Sequence, residues 1–211
     1  MHFSPWLLLL IIALSILAFA LLVFLFYKVM SFSFRKMGIP GHLVIPALVA
    51  ILVGGFFNIP IWRSGDVTLA VNFGGAIIPM IISFYLLRKA PLLQTVLSVA
   101  VVATVSGLLA DVDAGGIRLS FGWLILPFTA VSLALILARR NAPQVAFIAG
   151  TLGAIIGVDL VHLPEISHAG AVNASIGGRG VFDGILTTGI IASLLAGVLW
   201  RKKEVDGQEA E

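Results

Sequence analysis

The chain contains no cysteine, and only 11% of its 211 residues are charged. The lack of cysteine excludes disulfides, thiolate metal sites and cysteine nucleophiles. A soluble domain carries about 25% charged residues, so this chain has too few to cover a water-exposed surface. Instead, 60% of its residues are hydrophobic and its mean hydropathy is +1.12. This composition indicates an integral membrane protein with the lipid bilayer as its first partner.

Several motifs are also missing. No Lys or Arg precedes the first apolar run, and that run exceeds the ~7–15 residues of a signal-peptide core, so we expect a true span. No serine lies in a nucleophile elbow, and the Gly-Gly-Arg-Gly run at 177–180 lacks the Lys-Ser/Thr of a nucleotide loop. No cofactor motif is evident. The net charge of +3 comes from basic residues at span ends and gives no support for nucleic-acid binding.

The apolar segments predict the fold class. A span requires about 20 mostly apolar residues, and the sequence predicts an all-α, polytopic transmembrane bundle of about seven helices, forming one domain over residues 1–201. The predicted spans are 6–30, 42–60, 70–87, 91–110, 121–138, 143–162 and 181–200. Residues 202–211 are charged and are predicted to form a disordered tail. A six-span alternative would make the third or seventh segment, both rich in Gly, a re-entrant hairpin.

Basic residues predict the orientation. Ten lie in the first, third and fifth connections and after the last span, and three lie in the alternate connections. The ten are Lys28, Arg35, Lys36, Arg88, Lys89, Arg139, Arg140, Arg201, Lys202 and Lys203; the three are Arg63, Arg118 and Arg179. The positive-inside rule then places the N-terminus outside and the C-terminus in the cytoplasm. Dropping any span would destroy this alternation, which argues against six spans.

Four segments carry a family resemblance: Gly150–Pro164 (GTLGAIIGVDLVHLP), Ala174–Gly189 (ASIGGRGVFDGILTTG), Asn58–Pro60 (NIP) and Val71–Ala76 (VNFGGA). Together they resemble the domain of unknown function 1614 family, a group of prokaryotic membrane proteins. The resemblance implies a prokaryotic membrane protein, and together with the predicted spans we expect a multi-pass protein of the plasma (inner) membrane. It implies no mechanism, so the functional hypotheses rest on the residues themselves.

Two carboxylates lie within or at the edge of predicted spans. A charge inside a span costs at least ~2.5–3.5 kcal/mol and by default suggests a functional site. Asp159 lies near the outer end of the sixth span, where the helix dipole disfavours a negative charge. Asp183 begins the seventh span, so it is either a helix cap or a functional acid. The two helices are joined by one outer loop, and Arg179 in that loop either pairs with Asp183 or binds an anion.

Other polar residues are candidates for the same outer site. Asp159 and His162 are three residues apart on one helix face and are weak candidates for a metal pair; alternatively, His162 is an interfacial loop residue. Asn58 ends the second span and Asn72 starts the third, so each either bonds across helices or supplies a neutral oxygen to the site. If the chain is a 3+1+3 parallel repeat, a further hypothesis, these Asn and Asp residues surround one axis and form an oxygen-ligand cation site.

Three functions remain open. The first is a small transporter or ion-binding protein whose outward-side polar site, built on the two aspartates, binds a cation, a proton or a small solute. The second is an intramembrane aspartyl hydrolase, because two nearby carboxylates can share a proton and activate water; it resembles presenilin-like proteases only in general pattern, since Val181 and Phe182 separate Gly180 from Asp183. The third is a non-catalytic scaffold subunit. The sequence favours a protein that is not an enzyme.

Overall fold

A computed structural model describes residues 5–64, 67–113, 116–119, 122–163, 173–178 and 184–208 of the chain. Most of these residues are helical, as expected for apolar segments that must satisfy their own backbone hydrogen bonds. The α-helices are α1 (Pro5–Lys36), α2 (Val44–Gly54), α3 (Ile78–Leu87), α4 (Leu92–Leu109), α5 (Gly122–Leu137), α6 (Ala142–Ala154) and α7 (Gly184–Gln208). Two stretches of π-helix extend this set: Phe73–Ile77 leads into α3, and Ile155–Leu160 continues α6.

Short strands occupy alternate connections between the helices. They are β1 (Asn58–Ser64), β2 (Val67–Asn72), β3 (Ala110–Asp113), β4 (Gly116–Leu119) and β5 (Asn173–Ile176). In one sheet β2 is central, antiparallel to β1 and parallel to β5, and β3 and β4 form a separate antiparallel pair. The strands therefore follow α2, α4 and α6, in the connections that the charge pattern predicts to be external.

The small sheets correct the prediction of an all-α fold. The second predicted span ends as α2 at Gly54, and the third begins as strand and π-helix before α3, so the bounds 42–60 and 70–87 are too long for helices. The physical reason is local. Pro60 cannot continue a helix, and β-branched residues such as Ile59 and Val71 fit a pleated strand.

Three helices among the described residues are long and apolar enough to cross a membrane. They are Trp6–Lys36, Leu92–Leu109 and Arg139–Leu160; the shorter apolar helices are Gly41–Gly54, Phe73–Leu87, Leu124–Leu137 and Gly184–Trp200. Each predicted span thus contains an apolar helix, although four of these helices have only 10–17 residues. Helix α7 also runs through residues 202–208, within the segment predicted as a charged tail.

The centre of the bundle is α6. Of the apolar stretch that contains α6, 72% is buried inside the protein, whereas 0% of the corresponding stretch of α1 is buried. Helix α6 packs against α7, α4, α5 and α3. Small residues permit this, since a side chain at Gly150 would meet the backbone of Gly189 in α7 at 3.2 Å. Close backbone approach at glycines is typical of helix packing in membranes.

Among the described residues, helix α1 contacts the rest of the bundle through its C-terminal third. Ser33 and Ser193 of α7 share a buried hydrogen bond of 2.5 Å between their hydroxyl oxygens. Met30 and Phe34 are buried in a core cluster with residues of α2, α3, α6 and α7. Residues 6–25, by contrast, are exposed at every position except Val23.

Candidate functional site

Asp159 lies on the π-helical segment that ends α6. The hydrogen bond from the Val161 N–H to the Ile156 carbonyl, 3.0 Å long, spans five residues, as a π-helix requires. A π-turn holds one residue more than an α-turn, and such segments occur frequently at functional sites. Asp159 is half-buried and is engaged in a polar or electrostatic interaction in the structure.

The extra residue changes the winding of the helix at Asp159. A regular helix turns by about 100° per residue, at 3.6 residues per turn, and a π-turn takes up one residue more. Within the π-segment Ile156 and Leu160 are exposed, Val158 is buried and Asp159 is half-buried. Asp159 therefore lies at the border between the exposed and the buried sides of this segment.

A close contact with α4 holds the π-segment in place. A Cβ atom at Gly157 would overlap the Ser106 hydroxyl and the Ala103 carbonyl oxygen. The Ser106 hydroxyl lies 3.0 Å from the Gly153 carbonyl oxygen, so it donates across the helix interface. The π-segment can approach α4 this closely because residue 157 has no side chain.

His162 bends back onto the end of its own helix. It is 8% exposed, and its Nδ1 lies 3.1 Å from the carbonyl oxygens of both Gly157 and Val158. A carbonyl only accepts, so Nδ1 carries the proton and caps backbone groups that the helix end leaves free. Only Nε2 remains as a metal ligand, and the described residues contain no group of three or more His, Asp or Glu side chains that would hold a metal. The Asp159–His162 metal pair stays a prediction.

Asn58 and Asn72 meet at the start of the β1–β2 hairpin. They are directly paired across the two strands, and the Asn72 amide donates to the Asn58 side-chain oxygen at 3.0 Å. Asn72 is fully buried and donates to the Gly55 carbonyl at 2.8 Å, while its oxygen accepts from the Gly75 N–H at 2.7 Å. Asn72 is thus the N-cap of the helix that leads into α3.

Ser175 of β5 completes this network by donating to the Asn58 oxygen at 2.8 Å. The Asn58 oxygen then accepts two hydrogen bonds, which use both of its lone pairs. Asn72 retains one lone pair. The network ties together the end of α2, the hairpin and β5, so these amides act first as structural links. Their role as cation ligands stays a prediction.

The amide network and the π-segment lie at the same end of the bundle. Ala76, Ile155, Ile176 and Ile185 form one buried apolar cluster that joins the starts of α3 and α7 to the end of α6. Asp183 and Arg179 lie outside the described residues. The aspartyl-hydrolase alternative, which needs Asp183 beside Asp159, therefore also stays a prediction.

The sequence analysis missed three polar residues that the structure places on this framework. They are Ser175 in the amide network, Ser106 against α6, and Thr151, which is buried where α6 packs against Gly189 of α7. Ser175 and Thr151 both lie in the segments that carry the family resemblance. A single hydroxyl in an apolar helix carries little signal, because serine and threonine often bond the preceding turn of their own helix.

Comparison with known proteins agrees with the resemblance. The family described as protein of unknown function (DUF1614) matches residues 54–195, more than half of the chain. This confirms the family prediction, and the match covers α3 to α6, the β1–β2 hairpin and about half of α7. No curated protein matches the chain, and no solved structure matches it.

Proposed function

The chain belongs to the DUF1614 family of proteins of unknown function, and we propose from its own residues that it is a small multi-pass transporter or ion-binding protein of the plasma membrane. Asp159 is the central group of its outward-side site, with Asp183 and Arg179 as predicted neighbours. The proposal includes seven crossings, an external N-terminus and a cytoplasmic C-terminus. It involves no enzymatic reaction.

Support for seven crossings comes from the strands, because an apolar strand that follows a short helix lengthens the apolar segment. Helix α2 has 11 residues and is about 16 Å long at 1.5 Å per residue, against a hydrocarbon core of about 30 Å. Exposed apolar side chains continue from its end into β1, among them Phe56, Phe57, Ile61 and Trp62. Aromatic residues are enriched where a membrane meets water, so this hairpin is suited to the outer interface.

The observation that carries the ion-binding proposal is the partial burial of Asp159 in the π-segment. A carboxylate facing lipid would be costly, and ionisable residues in spans almost always face protein or a water-filled cavity. Asp159 is half-buried in the π-segment and takes part in a polar or electrostatic interaction. A group that is kept inside the membrane region at this cost is suited to bind a proton or a cation reversibly.

Flux through liposomes tests the proposal. The purified protein is reconstituted, a potassium diffusion potential is applied, and internal pH and sodium uptake are followed separately. We expect one of these cations to move, and Asp159→Asn to lower the rate roughly tenfold or more, because the amide cannot bind a proton or a cation as the carboxylate does.

The control is Asp113→Asn, which removes a carboxylate from the β3–β4 hairpin and is expected to keep the wild-type rate. Equal rates for Asp159→Asn and wild type would contradict the proposal, as would a folded wild-type protein that moves neither cation.

A scaffold subunit is the second candidate. The hydrogen bonds of the Asn58–Asn72–Ser175 network favour it, since every bond there joins two segments of the chain. A scaffold predicts that no cation flux accompanies the folded protein. It also predicts that Asp159→Asn leaves the activity of the protein in cells unchanged.

A further inference from the structure

Three turns at the basic end of the bundle are joined to one another by hydrogen bonds. The Lys89 ammonium, in the turn between α3 and α4, donates to the Gly38 carbonyl in the turn after α1 at 2.9 Å. The Asn141 amide, in the turn between α5 and α6, donates to the Lys89 carbonyl at 3.0 Å. Gln144, in the first turn of α6, donates to the Met37 carbonyl at 3.2 Å. The three turns therefore form one continuous surface.

These bonds bring together six basic residues that are far apart in the sequence, and we call them the basic surface. Five of the six are exposed, and Lys36 is half-buried. Residues 1–65, 67–110 and 114–158, which include all three turns, contain no Asp or Glu. The surface is therefore strongly positive, and these segments offer no acid to neutralise it. Its members are Arg35, Lys36, Arg88, Lys89, Arg139 and Arg140.

Arg139 has a backbone conformation that favours glycine. Its φ of 43° is the one positive φ of a non-Gly residue among those that the structure describes. Gly38 occupies the corresponding position after α1, two residues beyond the end of the helix, with a φ of 73°. Glycine is the usual residue at such helix ends, and a bulkier residue persists there only where something else maintains it. The chain thus keeps a cation at a position where glycine would suit the fold better.

Two helix N-termini open onto the same surface. Helix α4 begins after Pro91 and α6 begins after Asn141, and neither of these residues caps its helix with a side chain. Helices α3 and α5 end in the same turns, so the helix dipoles oppose one another and the charge of the surface comes from its side chains. The first N–H groups of α4 and α6 remain as hydrogen-bond donors for an anion.

Exposed apolar side chains lie directly beside these cations. Leu92 and Leu93 at the start of α4 are 62% and 69% exposed, and Ile136 near the end of α5 is 72% exposed. Both helices belong to segments that are apolar enough to contact lipid. A free phosphate would use only the cations, whereas a phospholipid would use the cations for its headgroup and the leucines and isoleucine for its acyl chains.

We propose that the basic surface binds the headgroup of an anionic phospholipid, with Arg88, Arg139 and Arg140 as ligands of its phosphate. Arginine presents parallel N–H donors that match phosphate oxygens, and basic pockets between membrane helices bind such headgroups. Arg88 and Arg140 each adjoin one partner of the hydrogen bond between Asn141 and Lys89, so their long side chains start within reach of one headgroup.

Lys89 has a different part in this site. Its Nζ donates to the Gly38 carbonyl and to the Tyr85 hydroxyl, so one of its three N–H donors is left for the lipid. The site goes beyond the proposed ion binding, because Asp159 lies at the opposite end of α6. Only its placement in the cytoplasmic leaflet rests on the proposed orientation.

The test measures the thermal unfolding midpoint of the full chain in neutral detergent with one added lipid. We expect phosphatidylglycerol and cardiolipin, which are anionic, to raise the midpoint by about 5 °C near saturation. High salt should remove most of this shift, because it screens exposed charges. Phosphatidylcholine has no net charge and should leave the midpoint unchanged; an equal shift with this lipid would overturn the proposal.

Two variants test the assigned residues. Arg88→Gln and Arg139→Gly each remove one cation and should weaken the retention of cardiolipin in native mass spectrometry roughly fivefold. Arg63→Gln is the matched control, because it removes an exposed arginine from β1 at the other end of the bundle, and it should retain lipid as the wild type does. Wild-type retention in both Arg88→Gln and Arg139→Gly would exclude these arginines as ligands.

Arg139→Gly also separates lipid binding from a role in folding. Without lipid its unfolding midpoint should stay unchanged or rise, because glycine suits a positive φ, while its shift with cardiolipin should shrink. A lower midpoint without lipid, together with a wild-type shift, would assign Arg139 to the fold alone.

Glycerol phosphate distinguishes a lipid from a free phosphate, since it carries the phosphate without acyl chains. At the same concentration as the lipid it should not raise the midpoint, and a shift equal to that of phosphatidylglycerol would overturn the assignment to a lipid. All of these measurements report binding and not flux, so their failure leaves the ion-binding proposal standing, and failure of the flux experiment leaves the lipid site standing.

Discussion

At the residue scale, Asn72 is a buried polar side chain that links several segments of the fold. Its amide makes three hydrogen bonds: two donated to Gly55 and Asn58, and one accepted from the Gly75 N–H. The side chain is fully buried. Asn72 therefore fixes how the chain leaves α2, turns through the hairpin and enters α3.

Replacing Asn72 by Ala should destabilise the protein by about 2–3 kcal/mol, because the helix cap is lost and buried groups at Gly55 and Gly75 lose their partner. Denaturant unfolding in detergent measures this loss. Asn141→Ala removes a single exposed bond to the Lys89 carbonyl and should cost about 0.5 kcal/mol or less. Equal losses for the two variants would show that the amide network does not link these segments.

At the element scale, the π-segment that carries Asp159 packs closely against α4. Ser106 donates to the Gly153 carbonyl one turn before the π-segment, and Gly157 fits against the Ala103 carbonyl within it. Both contacts need the backbones of α4 and α6 to be close. A change that separates them will move Asp159, although it touches no ionisable group.

Gly157→Ala should therefore destabilise the fold by about 1–3 kcal/mol or more, the usual cost of overpacking. Thermal unfolding in detergent is the measurement. Gly41→Ala is the matched control, since a Cβ atom there meets nothing within 4 Å. Adding Ser106→Gly should restore only part of the loss, because the Ala103 carbonyl oxygen remains in the way; complete rescue would contradict the close backbone contact.

At the scale of the whole molecule, the strands recur after every second helix: a hairpin follows α2, another follows α4, and β5 follows α6. The strands thus recur with a period of two helices. The predicted 3+1+3 repeat, by contrast, relates helices that are four positions apart in the chain. The repeat stays a prediction. The two-helix rhythm supports alternating helix directions, with strands and basic turns at opposite ends of the bundle.

The proposed topology can be tested with single cysteines, because the chain has none of its own. Arg63 in β1 and Arg140 in the turn before α6 are both exposed. We expect a membrane-impermeant maleimide to label Arg63→Cys in intact cells and to label Arg140→Cys only after permeabilisation. The reverse pattern would invert the topology, and labelling of both in intact cells would remove a crossing between them.

Much of the structure of this protein could be predicted from the local composition of its sequence. The membrane class, the positions of seven apolar helices and the family were all readable from the chain, because hydropathy is a property of consecutive residues. The ends of the second and third predicted spans were not. The signals for a strand and a helix cap come there from single residues, Asn58, Pro60 and Asn72. Hydropathy averaged over about 20 residues hides such single residues among their apolar neighbours.

The sequence by itself determined that this protein lies in a membrane and where its charges fall along the chain. Only the tertiary structure decided which polar atoms meet. Asn58 pairs with Asn72 because a hairpin brings residues 14 positions apart into register, and Asp159 is half-buried on a π-segment that accommodates one additional residue. Side-chain direction depends on single-residue changes in backbone winding, and packing against neighbouring helices selects these, whereas composition does not.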